Sequence, residues 1–428
     1  MASTNFTIED WIHRFRAHRA QTEALIAPLP REDLLVQTMD DVSPARWHIA
    51  HTTWFFETFL LLPFLPNYRP FRKGFEYLFN SYYEGAGPQF PRHRRGTLGR
   101  PTIAEILQYR RSVDTAVIEL LLSAEEPLSE ALAFPLEVGF HHEMQHQELI
   151  CTDIKHVLAN NPLQPAYRKD LPSKQPSLKA APLQFSSHPG GLVEIGNSEP
   201  VFSFDNEGPR HKVYLSPFAL ANRGVTCGEY LEFINDGGYD DSRLWLSDGW
   251  KTRSLEGWNA PLYWENTAHG MEIFTLSGPR PLSAQEPVAH LSFYEADAYA
   301  RWAGYRLPTE AEWEISTLET PMNLTEESLL EKGYLHPQVQ SAQDGQFFLG
   351  LFGDTWEWTA SPYQPYPGFQ SFEGTLGEYN SKFMANQFVL RGASAFTPTA
   401  QVRRTYRNFF PPQARWQCSG LRLAREHS

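Results

Sequence analysis

Apolar residues recur at three- and four-residue spacing over most of the first 160 positions, and the pattern then stops. The spacing predicts four amphipathic helices. The first runs from Ile8 to about Leu25. The second opens at "SPARWHIAHTTWFFETFLL", with Ser43 as N-cap and Pro44 in the first helical position, and it places Trp47, His51, Trp54 and Thr58 on one face. The third begins at Thr102 with Glu105 three residues on, a capping box, and the fourth covers Leu136 to Leu158. Four such segments predict an antiparallel four-helix bundle over residues 1–160. Residues 161–182 carry Pro162, Pro165, Pro172, Pro176 and Pro182 without apolar period, which predicts an extended linker. From 183 to 428, short strand-like pieces such as "KVYLSPFAL" alternate with long Gly- and Trp-rich loops. Short helices there start at Thr226, Ser292 and Thr309, each with a glutamate three residues later. The expectation is a multidomain α and α+β protein.

At 428 residues, two or three domains of about 150 residues each are expected. The net charge of -13 argues against a nucleic-acid partner, because such affinity rests on phosphate neutralisation by Lys and Arg. "MASTNFTIEDWIHRFRAHRA" has no apolar signal core. "WFFETFLLLPFL" is too short to cross a bilayer and contains Glu57. A cytoplasmic protein without membrane attachment is expected; the sequence leaves its oligomeric state open. Cys151, Cys227 and Cys418 are odd in number and form no C-x-x-C, which excludes a cysteine-based zinc site.

The candidate chemistry centres on "GFHHEMQHQELI". His142-Glu143-Met144-Gln145-His146 has the H-E-x-x-H spacing of a zinc protease helix, and residues four apart on a helix can hold one ion. A zinc hydrolase needs a third ligand downstream. Leu149 and Thr152 stand where the extended motif requires glycine and histidine, and no Glu occurs between Glu148 and Glu194. A bundle offers facing helices instead, and there His51, among tryptophans, is the first candidate with His48 competing. Three neutral imidazoles leave the charge of a divalent iron uncancelled, so a thiolate and dioxygen can both bind, which favours chemistry on a thiol.

The phrases "WHIAHTTWFFE", "NSYYEGAGPQFPRHRRG" and "HHEMQHQEL" resemble the DinB-like bundle of the ergothioneine-biosynthesis sulfoxide synthases, the hercynine oxygenases. "LPTEAEWE", "GDTWEWTASPY", "LRGASAF" and "GLRLAR" resemble the formylglycine-generating-enzyme-like, C-type-lectin-like domain that follows it in that family. The resemblance implies a non-haem Fe(2+) enzyme that uses O2 to join a thiol to C2 of the hercynine imidazole and oxidises the sulfur to a sulfoxide. Carried over by motif, the ligands are His51, His142 and His146, and Glu143 takes a structural hydrogen bond rather than a general-base role. Arg92 and Arg95 align with the thiol-binding arginines, with Arg94 as substitute. Tyr82 and Tyr83 are the phenols expected to supply a proton, without which the thiol would be oxidised to a sulfinic acid. The mycobacterial-type relatives carry their catalytic tyrosine in the second domain, and the sequence alone assigns no residue to it.

For hercynine itself, Gln145 is expected on the imidazole, and Asn408 and Phe409 on the betaine. Phe410 stands where the mycobacterial-type pattern has Asp, which points to L-cysteine rather than γ-glutamylcysteine. Cys418 lacks a near partner, so the second domain is expected to bind substrate rather than act as an oxidase. Two other readings use the same residues: a DinB-type zinc-dependent thiol transferase, and a lectin-like binding module on a structural bundle.

Overall fold

The computed structural model describes residues 6–173, 178–318, 320–342 and 345–426; Pro176 of the expected linker lies outside them. The chain forms two compact units. One comprises Met1–Tyr167 together with Glu199–Phe202 and Phe372–Tyr379, and the other comprises Arg168–Ser198, Ser203–Ser371 and Asn380–Ser428.

The first unit is built on helices α1 (Ile8–Ile26), α2 (Ala45–Phe56), α3 (Leu62–Phe64), α4 (Phe75–Phe79), α5 (Ile103–Leu122) and α6 (Glu130–Ala159). The expected box at Thr102 and Glu105 caps α5, and a second, formed by Thr7 and Asp10, caps α1. Ser43 is not the N-cap of α2: Pro44 occupies that position. The Ser43 N–H instead donates to Asp153 Oδ2 at 2.8 Å and its hydroxyl accepts from Arg95, because buried partners outcompete the local cap. Helix α6 starts six residues before the expected Leu136, with Pro135 inside it. A proline there forfeits one helical bond yet does not end the helix, since both sides of it are held by packing. Between α2 and α3 lies a π-helical turn, Glu57–Leu61, whose buried Glu57 accepts hydrogen bonds from Tyr68, Tyr109 and the Phe71 N–H.

Helices α1 and α2 both pack on α5 and α6. Gly139 lets α2 and α6 close up, since a Cβ there would lie 2.5 Å from the Phe56 ring. The wedge of the bundle is Glu143 on α6, fully buried, which accepts from Thr22 and Arg19 of α1 and from Arg110 of α5 at 2.6–2.8 Å.

The second unit is the expected irregular α+β fold. Its helices are α7 (Cys227–Asn235), α8 (Ser247–Glu256), α9 (Phe293–Trp302) and α10 (Glu310–Thr317), and the three expected boxes cap α7, α9 and α10. Strand β1 (Phe185–His188) pairs antiparallel with β4 (Phe218–Gly224), and β12 (Arg422–Glu426) covers β4 from the other side. A ribbon joins β2 (Gly191–Ile195) and β3 (His211–Leu215); a meander joins β5 (Trp264–Thr267), β6 (Gly270–Thr275) and β7 (Gly278–Pro281). A further sheet has the order β10 (Asn408–Phe410), β9 (Phe388–Gly392), β8 (Trp356–Pro362), β11 (Ser419–Gly420). Its core gathers Phe218, Leu220, Trp313, Leu351 and Phe352. Among the described residues no helix is long and apolar enough to cross a membrane.

Candidate metal centre

Helix α2 supplies His51 and α6 supplies His142 and His146, one turn apart. All three are buried, and one ring nitrogen from each lies within 4.8 Å of the others. His51 is clamped between Trp47 (ring centroids 4.6 Å, 13°) and Trp54 (5.4 Å, 15°), the two rings whose face it shares in sequence. Its Nδ1–H donates to the Phe79 carbonyl at 2.6 Å, which leaves the Nε2 lone pair facing His142 Nε2 at 3.0 Å. His142 Nδ1 is buried without a partner. His48 has no nitrogen to spare: Nδ1 lies 2.8 Å from His146 Nδ1 and Nε2 lies 2.9 Å from Asp153 Oδ2. His51 therefore turns Nε2 to the cluster, while both ring nitrogens of His48 have other contacts.

Burial above all, and then the neighbouring His142, hold His51 and His146 well below the ordinary imidazole range, and burial pushes His142 down to about 3. Three neutral imidazoles with converging lone pairs fit a divalent transition ion; with neither thiolate nor carboxylate in the set they do not suit Mg²⁺ or Ca²⁺. Glu143 is not a general base here. Burial raises its carboxyl, but Arg110, Arg19 and the Thr22 hydroxyl outweigh that and keep it ionised and occupied on the far side of α6.

Arg95 is 3% exposed, with its guanidinium 3.3 Å from the centroid of the Trp47 ring. It donates to Ser43 Oγ at 2.9 Å and Ser81 Oγ at 3.3 Å, its Nε has no partner, and among the described residues it has no ion pair. Burial and then Arg92 push it well below its ordinary pKa, with Asp153 opposing. Such a charge calls for an anion. Arg92 is exposed and donates to the Asp41 carbonyl, while Arg94 is exposed over Phe90. The sequence thus groups three arginines, and the fold buries one.

Tyr82 stacks on Tyr83 at 4.6 Å, and Tyr83 is wholly buried against Trp54 and Phe59. Burial first, then Tyr82, raises the Tyr83 phenol well above its usual range. The residue that sequence reasoning missed is Tyr379, in the segment Phe372–Tyr379 that joins this unit. Its ring is 5.8 Å from that of His142, and 6.4 Å from both Tyr82 and Tyr83. Its hydroxyl donates to Gln145 Oε1, which puts Gln145 beside the centre as well. The Glu378 carboxylate fastens the segment by accepting from the N–H groups of Glu84 and Gly85 at 2.9 and 2.8 Å, and Phe372 packs edge-on to Phe134. "TLGEYNSK" carries no period or cap that would single out this tyrosine.

Asn408, Phe409 and Phe410 belong to the other unit, on β10. Phe409 stacks on Tyr363 at 4.0 Å and 10°, Phe410 meets Trp416 edge-on at 5.6 Å, and Asn408 Oδ1 accepts from the Phe409 N–H.

Two family patterns match the chain: the DinB superfamily over residues 14–150, and the sulfatase-modifying factor enzyme 1-like domain over residues 170–324 and 332–427. A hercynine oxygenase of Mycobacterium tuberculosis is 32% identical over 432 residues, covering 96% of this chain and 97% of its own. That of Mycolicibacterium thermoresistibile is 29% identical, covering 95% of each. Ergothioneine biosynthesis protein 1 of Schizosaccharomyces pombe is 29% identical over 52% of this chain and 28% of its own length.

Proposed function

The chain belongs to the hercynine oxygenase family, and from that premise we propose that it joins L-cysteine, rather than γ-glutamylcysteine, to C2 of the hercynine imidazole as a step of ergothioneine biosynthesis in the cytoplasm. The observation that carries the reading is the cluster of three neutral imidazoles beside a buried arginine that lacks an acid. In the reaction, C2–H and S–H are lost and C2–S forms. The sulfur gains one oxygen atom, and the other leaves as water, so one O2 takes four electrons.

Fe(2+) bound by His51, His142 and His146 would supply the redox chemistry and the open positions for the thiolate and O2. The other steps fall to the protein. Arg95, assisted by Arg92, holds the cysteine carboxylate, and a guanidinium already desolvated gives that contact its strength. Gln145 receives the hercynine imidazole, and for Asn408, Phe409 and Phe410 the resemblance to the family implies the betaine contacts and the thiol preference. A phenol delivers the proton that steers the reaction from sulfinic acid to the C–S product. Tyr379 is the first choice, being nearest a ligand ring, and Tyr82 and Tyr83 stand behind it.

The competing reading is a zinc-dependent thiol transferase on the same histidines. Oxygen uptake and product mass with hercynine and L-cysteine, after loading with Fe²⁺ or Zn²⁺, separate the two. The expected result is O2 consumption matched to sulfoxide with Fe²⁺ alone. Anaerobic turnover with Zn²⁺ would replace the proposal by its rival.

A further inference from the structure

His48 faces the histidine cluster without belonging to it, and with one proton on each ring its contacts have a single consistent assignment. The Asp153 carboxylate can only accept, so the 2.9 Å contact puts a proton on His48 Nε2. With one proton per ring, His48 Nδ1 is then an acceptor. At 2.8 Å from it, His146 Nδ1 must be the donor. His146 Nε2 is left bare, with its lone pair free for a metal. Asp153 is itself fixed, since the same Oδ2 accepts the Ser43 N–H at 2.8 Å just ahead of α2. All four groups are buried.

We propose that Asp153 and His48 are positioning residues: a two-step relay that locks His146 in the Nδ1–H tautomer, so that its ligating nitrogen is set before any metal arrives. The relay rests on the metal-centre reading above. His51 achieves the same through the Phe79 carbonyl, and His142 Nδ1 has no partner, so the relay is the side-chain device among the three ligands. Hydrogen-bonded outer partners of ligating imidazoles fix ring orientation and raise basicity, which makes them felt in metal affinity rather than in substrate binding.

The test compares His48→Leu with His48→Asn, which have the same shape. The Asn amide oxygen stands where Nδ1 stood and accepts the His146 N–H; Leu cannot. Both remove the partner of Asp153 equally. Co²⁺ affinity by chelator competition, the visible bands of bound Co²⁺ and the thermal midpoint of the metal-free chain are measured for each. His48→Leu is expected to bind Co²⁺ roughly 10–100-fold more weakly than wild type, with His48→Asn recovering most of the loss at an equal metal-free midpoint. Wild-type affinity in His48→Leu, or equal weakening in both variants, overturns the relay and leaves the centre standing. A wild-type chain that takes up no Co²⁺, or one unaffected by His142→Ala, overturns both. Imidazole ¹⁵N shifts of the metal-free wild type decide the matter even if His48→Leu does not fold: a proton on His146 Nε2 overturns the relay, and one on Nδ1 supports it.

Discussion

A guanidinium inside a protein normally sits against a carboxylate, because the interior charges heavily for an uncompensated ion. Arg95 has two serine hydroxyls and a tryptophan face instead. Arg95→Met should therefore leave the metal-free protein at least as stable by thermal melting, while KM for L-cysteine rises roughly 10–100-fold, the loss of a charged hydrogen-bonded contact. Arg92→Met, at an exposed position, should have a smaller effect. Tyr379→Phe should keep substrate affinity but raise the ratio of cysteine sulfinate to C–S product, more than Tyr82→Phe and Tyr83→Phe combined; an unchanged ratio removes Tyr379 from proton delivery. A third outcome concerns acid. Burial holds the His18 imidazole down at about 4, against 6.5 for the free group. The folded chain then binds fewer protons than the open chain, so stability is full above pH 6.5 and is lost as pH falls from there towards 4. Between pH 7 and pH 5 the loss is about 1–2 kcal/mol after screening, and His18→Leu should remove it from urea unfolding curves. Among these residues the histidine pair was legible because helical spacing is local, and His51 because it shares a face with Trp47 and Trp54. The tautomer relay was not legible, since Asp153 lies 105 residues from His48.

Helix caps were read correctly wherever the cap is a local exchange of hydrogen bonds, as at Thr102, Thr226, Ser292 and Thr309. They were misread at Ser43, where tertiary partners win. The early start of α6 across Pro135 and the π turn after α2 have the same origin, because both rest on packing that periodicity does not record. The bundle itself depends on Glu143 as a joint between α1, α5 and α6. Glu143→Ala removes the carboxylate that Arg19 and Arg110 share and leaves each its second acid, Asp114 and Glu23, so a loss of about 1–3 kcal/mol in urea unfolding is expected. Glu143→Gln keeps the Thr22 contact and should lose less, and neither should abolish Co²⁺ binding, since Glu143 is occupied by Thr22, Arg19 and Arg110.

Over the whole molecule, the change of texture near residue 160 marks the end of α6, but it hides two returns of the chain to the helical unit, Glu199–Phe202 and Phe372–Tyr379. Their residues have no helical period, so nothing in their composition announces which unit they join. Thiol choice belongs to the proposed function. Phe410→Asp restores an acid at the position where the mycobacterial-type pattern has one, and the ratio of kcat/KM for γ-glutamylcysteine over L-cysteine should rise roughly tenfold or more; an unmoved ratio clears Phe410 of any part in specificity. The return at Phe372–Tyr379 has a consequence in time. Gln145 and Tyr379 are 234 residues apart. At about 5–20 residues per second, a ribosome releases the tyrosine roughly ten to fifty seconds after the glutamine it will hold. All three histidines of the cluster are thus synthesised well before the phenol, and the order of synthesis is fixed: histidines first, phenol last.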